Sequence, residues 1–287
     1  MGKLRAIWEL TRLEHGVMIA LAILIGSLIA GRGLPPADNY LFAFLTALLL
    51  EAGTFALNDY FDLEVDRCNR RLDRPLVRGD IEPRTALWIY ALTMPAGLLA
   101  AYMVNLTCFS IAVINAVVAT LYDVKLKEIK VVGNFYIAFI MAIPFVFGAT
   151  AVSPRIPSII YFIALIAFLS GVAREITKDV MDLEGDAVRK TRSFPLYVGK
   201  RTATVIAFCF YLTAVALSLV PFALHVDDAY YRDYVYLAVV LVTDVMLVYT
   251  AALSVIRLDT EHLNRSRKIS LAAIFIGLLA FMVGAFI

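Results

Sequence analysis

Nine runs of about 20 mostly apolar residues decide what this chain can become. They lie at about 13–31, 38–57, 84–104, 107–121, 131–151, 156–175, 202–224, 234–256 and 269–287. Inside hydrocarbon no water satisfies a free N–H or C=O, so such a run must close its hydrogen bonds on itself as a helix. The expectation is an all-α polytopic membrane protein, with nine transmembrane helices in one bundle and a single domain over 1–287. Only 17% of residues are charged, against roughly a quarter in a soluble domain. The longest gap, 58–83, is rich in charge and lacks apolar periodicity, which leaves no place for a separate soluble domain. The first run follows Lys3, Arg5 and Arg12 but carries no small-residue cleavage site, so it reads as a retained span.

The basic residues are one-sided. The N-terminus and the segments after spans two, four, six and eight hold 23 of the 26 Lys and Arg residues, and the opposite side holds Arg32, Arg155 and Arg232. By the positive-inside rule the chain is a multi-pass cell-membrane protein with its N-terminus and charged loops cytoplasmic and its C-terminus outside. Cys68, Cys108 and Cys209, like His15, His225 and His262, are too scattered for a Cys or His metal site.

Acids are rare in such a chain, yet "ALNDYFDLEVDRCNR" places Asp59, Asp62, Glu64 and Asp66 directly after the second run. "REITKDVMDLEGD" does the same after the sixth. Asp62-x-x-x-Asp66 and Asp182-x-x-x-Asp186 are offset by 120 residues, or four spans. That offset suggests two four-helix repeats, about 1–125 and 126–256, followed by a final helix over 269–287. Repeat interfaces are where such proteins commonly bind substrate.

On helices, Asn58, Asp62 and Asp66 share an arc of about 80°, and Asp179, Asp182 and Asp186 one of about 60°. Two facing carboxylate stripes repel unless a cation lies between them. Hard oxygen ligands select Mg²⁺ or Ca²⁺, and Mg²⁺ commonly bridges one or two carboxylates to substrate phosphates. The plain alternative is solvated charge paired with Arg67, Arg70, Arg71 or Lys178. It explains one cluster more readily than two in register.

Basic residues accompany the acids. Arg174, Lys178, Asp182 and Asp186 form a ladder at intervals of four, with the cations deeper than the anions and placed to meet a phosphate. "LYDVKLKEIK" adds Tyr122, Lys125, Lys127 and Lys130, and Arg12 stands at the start of span one. Glu51, seven residues before Asn58, lies on nearly the same face and about 10 Å deeper. A carboxylate there must be protonated, hydrogen-bonded or paired. It is a structural tie or the group that orients an acceptor and takes its proton. Asp244 is the other acid at membrane depth.

With these features the chain resembles the UbiA superfamily of intramembrane prenyltransferases. The likeness rests on nine spans, Asn58-Asp59-x-x-Asp62-x-x-x-Asp66, Asp182-x-x-x-Asp186 and the "RPLVRG" stretch from Arg74 to Gly79. Within it, Arg174-Glu175-Ile176, Lys178-Asp179 and Glu184-Gly185-Asp186 are most similar to the archaeal digeranylgeranylglyceryl phosphate synthases.

The resemblance implies Mg²⁺ held by Asn58, Asp62, Asp66, Asp182 and Asp186, with those aspartates and Glu51 as catalytic residues. It implies an isoprenyl diphosphate donor and a lipophilic acceptor bound by Asn58, Arg12, Arg67 and Asp179. Tyr122, Lys125, Lys127, Arg174 and Lys178 complete that set. Because Tyr122 is followed by lysines at three and five residues rather than four, both Lys125 and Lys127 are candidates for the diphosphate. The expected reaction passes a geranylgeranyl group to geranylgeranylglyceryl phosphate in ether-lipid synthesis. Prenylation of an aromatic acid or quinone precursor is the alternative within this chemistry, and an ion-coupled transporter the alternative outside it. The acids lie at one end of the spans only, which disfavours a transport pathway. Membrane lipid is the surrounding partner, and no nucleic acid or protein partner is implied.

Overall fold

A computed structural model describes residues 2–188 and 193–285; of residues 184–188 and Glu128 it describes the backbone alone. The described residues are helical and contain no strand. A short amphipathic helix α1 (Lys3–Thr11) precedes α2 (Gly16–Gly31) and α3 (Ala37–Cys68). A one-turn helix α4 (Pro75–Arg78) leads into α5 (Pro83–Val104), α6 (Leu106–Val124), α7 (Lys130–Val152) and α8 (Ser158–Val188). After α9 (Phe194–Val198) come α10 (Lys200–Ser218), α11 (Val220–Ala223), α12 (Tyr234–Ile256) and α13 (Thr260–Gly284). Among the described residues, nine helical segments are long and apolar enough to span a bilayer.

Helices α3 and α8 extend well past the apolar runs, through the acidic stretches expected to be helical, without a break, giving 32 residues in α3 and 31 in α8. At 1.5 Å per residue each is about 47 Å long, against a hydrocarbon core of about 30 Å. No Gly or Pro interrupts Ala56–Cys68, and the helix stops only at Asn69, where Arg70 turns left-handed (φ 52°). The ninth helix also begins earlier than expected, at Thr260. The Asp259 carboxylate accepts the His262 N–H at 3.1 Å and caps a polar first turn that hydropathy does not register. Likewise Asn105 starts α6 by accepting the Cys108 N–H at 2.8 Å.

Packing sets these long helices in place. Here α3 lies against α5, and α8 lies between α7 and α10. The close pair α2 and α7 meets through glycines. A Cβ on Gly26 would come within 2.1 Å of the Phe145 carbonyl oxygen, and one on Gly148 within 2.1 Å of that of Ile23. The Ser27 hydroxyl donates to the Gly148 carbonyl at 2.9 Å. Without hydrophobic drive between helices in lipid, such backbone contact supplies the attraction. At the acidic end, α1 buries Ala6 and Leu10 against Leu63 and Leu76. Arg78 fastens it by donating to Glu9 and, at 2.6 Å, to Asp80.

Candidate active site

The C-terminal third of α3 builds the first half of the site. Asp59 is 2% exposed. It accepts Arg12 Nη2 at 2.7 Å and Arg74 Nη1 at 3.1 Å. The Arg12 guanidinium lies over the Phe55 ring, 4.2 Å from its centroid. One turn on, Asp62 accepts Lys127 Nζ at 2.5 Å, and Asp66 lies 3.8 Å from Arg74 Nε. The Asn58 amide donates to Asp123 Oδ1 at 3.0 Å. The first motif therefore gathers cations from three other parts of the chain: the turn between α1 and α2, the loop after α3, and the loop after α6.

The second half is built on α8. Asp179 is buried, accepts Asn134 Nδ2 at 2.7 Å and lies 3.6 Å from Lys130 Nζ. The buried Glu175 accepts Lys178 Nζ at 3.1 Å and Arg174 Nη1 at 3.4 Å. Asp182 is exposed, and the side chain of Asp186 lies outside the described residues. The two halves adjoin at α6 and α7. Tyr122 stacks on Tyr136 with centroids 4.5 Å apart. Its hydroxyl is within electrostatic range of Asp62, on α3, of Asp123, on α6, and of Glu175 and Asp179, on α8.

Within the sequence-derived set, Arg12 is paired with the residue beside Asn58 and Lys127 with Asp62, while other members are set apart. Lys127 reaches Asp62, whereas Lys125 is exposed. Arg67 is also exposed and pairs with Glu64 at 3.4 Å. Glu51 lies deeper on α3, with Oε1 3.8 Å from His15 Nδ1. Asp244 faces the interior of the second half, where it meets the Ser218 hydroxyl at 2.9 Å beside an apolar cavity of about 50 Å³.

The UbiA prenyltransferase family description matches residues 19–279. A digeranylgeranylglyceryl phosphate synthase of Archaeoglobus fulgidus is 46% identical over 283 residues, covering 99% of this chain and 96% of that one. The chain belongs to the UbiA prenyltransferase family. It is similar along its whole length to a structure solved in work on digeranylgeranylglyceryl phosphate synthase in membranes, with TM-score 0.83, 31% identity and coverage of 100% and 99%. A UbiA homologue from Archaeoglobus fulgidus bound to GPP and Mg²⁺ shares the fold, with TM-score 0.65, 18% identity and coverage of 96% and 99%.

In this UbiA-family chain, sequence reading overlooked Asp123, Asn134, Glu175 and the anchoring of Asp59. One signal for the last was available. Asp59 and Asp179 are themselves 120 residues apart, so the repeated pattern is Asp-x-x-Asp-x-x-x-Asp, with the first member buried in both copies. Each ties its long helix to basic residues beside an earlier span, Arg12 for Asp59 and Lys130 for Asp179. Asp123 and Asn134 carry no such signal, because only tertiary packing brings them to Asn58 and Asp179.

Proposed function

We propose that this prenyltransferase moves a geranylgeranyl group from its diphosphate to the hydroxyl of geranylgeranylglyceryl phosphate. The observation that carries the reading is that the two acidic helices α3 and α8 both pack on α7, with Lys127 held on Asp62 and with Arg174 and Lys178 held on Glu175. The 46% identity to a named synthase along 99% of the chain supports the acceptor.

The donor set fits a hard divalent cation. Asn58, Asp62, Asp66, Asp182 and Asp186 offer only oxygen, which suits Mg²⁺. Among the described residues no three acidic, His or Cys side chains converge on one point. Mg²⁺ typically takes one or two carboxylates and completes its sphere from substrate phosphates and water. Bound there, Mg²⁺ would neutralise the charge that grows on the departing diphosphate.

The chain's own groups do the rest. Lys127 is placed to move from Asp62 onto a diphosphate oxygen. Arg174 and Lys178 are placed to hold the acceptor's phosphate, a charge-assisted contact. As the allylic C–O bond breaks, its electron pair leaves with the diphosphate. The acceptor oxygen forms the new bond to that carbon and gives up its proton. Glu51, with His15 beside it, is the candidate to receive the proton. Apolar helix faces around the site exclude the water that would otherwise capture the carbon. The one-sided basic residues support a cytoplasmic position for the reacting end.

The test uses purified protein in detergent with Mg²⁺, radiolabelled geranylgeranyl diphosphate and a panel of acceptors. Transfer to geranylgeranylglyceryl phosphate, abolished by EDTA, is expected. Transfer confined to aromatic acids or quinone precursors would overturn the acceptor. Proteoliposome uptake without any transfer would overturn the chemistry.

A further inference from the structure

Asp123 lies in the last turn of α6 with its side chain buried, 1% exposed. Its Oδ1 accepts the Asn58 amide at 3.0 Å, and its Oδ2 is buried without a partner. The carboxylate is within electrostatic range of Asp62 and Asp59, with Lys127 as the cation nearby. As a mere fastening between α3 and α6 this is a poor choice. A neutral acceptor such as Gln or Ser would tie the helices without adding a negative charge beside two others. A carboxylate differs from those alternatives in one respect: when ionised it accepts hydrogen bonds and donates none.

That difference acts on Asn58. A carboxamide presents an oxygen on one side and an NH₂ on the other, and only the oxygen can ligate a hard cation. Against Gln or Ser the amide could sit either way round. Against a carboxylate the NH₂ must face Asp123, which leaves Oδ1 as the atom offered elsewhere. We propose that Asp123 is a positioning residue that fixes the Asn58 carboxamide in its metal-ligating orientation. The proposal rests on the metal reading given above. Groups that orient a ligand in this way typically change metal affinity 10–100-fold when removed.

The experiment follows the full-length protein in detergent by its melting temperature as Mg²⁺ is titrated at a fixed concentration of the donor's non-cleavable thiolodiphosphate analogue. A ligand that binds only the folded state raises that temperature, so the titration midpoint reports Mg²⁺ affinity. Asp123→Asn keeps the shape and frees the amide to turn. Its midpoint is expected to rise about tenfold or more, while the melting temperature in EDTA stays close to that of the unmodified protein. Asn58→Ala should raise the midpoint similarly, and the double variant should go no further than the larger single effect. An unchanged midpoint in Asp123→Asn overturns the proposal. So does a double variant whose shift is the product of the two single shifts, since Asp123 would then act independently of Asn58. Asp123→Glu, which remains acceptor-only but is displaced by one methylene, is read by the same criteria if the Asn variant does not fold. Failure of the unmodified protein to respond to Mg²⁺ at all would instead remove the metal reading on which both rest.

Discussion

Lys127 and Asp62, 65 residues apart in sequence, meet at 2.5 Å and join the loop after α6 to the first acidic motif on α3. Of the two lysines following Tyr122, this one is poised at the proposed diphosphate site. Lys127→Met should raise the KM for the donor about tenfold or more, the loss expected for one charge-assisted contact. Lys125→Met should leave it within about twofold, as for an exposed surface charge. Steady-state kinetics on both variants decide the matter, and the opposite ranking would reassign the role to Lys125.

Under the proposed function both acidic motifs serve one diphosphate. Asp62→Ala and Asp182→Ala should each abolish turnover while retaining a monodisperse profile in detergent. Chelation should do the same to the unmodified protein and be reversed by Mg²⁺. Residual turnover above a few per cent in either variant, measured as labelled product, would take that aspartate out of the metal set.

Glu175 restrains Arg174 and Lys178 from the same helix. If these two cations serve the acceptor, Arg174→Ala should raise the acceptor KM about tenfold or more with little change in the donor KM. Equal effects on both substrates would move Arg174 to the diphosphate. No effect on either would leave it as an anchor at the membrane surface.

The fastening of α1 should be sensitive to acid. The Arg78 guanidinium, and after it Arg5, hold the Glu9 carboxyl below its ordinary value. A carboxyl lowered in the folded state contributes stability above its unfolded value, about 4.3. That contribution is lost as pH falls through the lower folded value. Glu9→Gln should therefore melt below the unmodified protein at pH 7, and the gap should narrow as pH falls below the ordinary carboxylate value and through the lowered folded one. A gap as wide in acid as at pH 7 would assign the difference to packing rather than to charge.

The glycine contact between α2 and α7 gives a structural prediction. Gly148→Ala directs a methyl group onto the Ile23 carbonyl oxygen, where the backbone cannot yield without separating the helices. The expected loss is about 1–3 kcal/mol, read as a lower denaturation midpoint in mixed micelles. Gly199→Ala has open space around it but a left-handed backbone (φ 84°), and so tests strain without a clash.

Much of this was legible in one dimension because hydrocarbon permits so few structures. Runs such as Leu237–Ile256 can only be helices, and Asp62 and Asp182 stand out against them. The ends of helices were less legible. The apolar runs stop near residues 57 and 175, whereas α3 and α8 continue for another turn or more, because backbone hydrogen bonding does not depend on hydropathy. Partnerships were least legible of all. That Asn58 would meet Asp123, or Asn134 meet Asp179, depends on how α6 and α7 lean on their neighbours, and no spacing encodes it. The 120-residue offset carried more than was first taken from it, since it also pairs Asp59 with Asp179.

The overrun of α3 and α8 beyond the apolar slab separates two journeys. Under the proposed reaction, charged headgroups would be handled at the water's edge, while isoprenoid chains stay dissolved in the leaflet throughout. Neither lipid has to be lifted out of its solvent, and encounter becomes a search in a plane rather than in a volume. Turnover in vesicles should then follow the mole fraction of each lipid in the bilayer. Diluting the whole suspension, at fixed membrane composition, should leave the rate per enzyme unchanged.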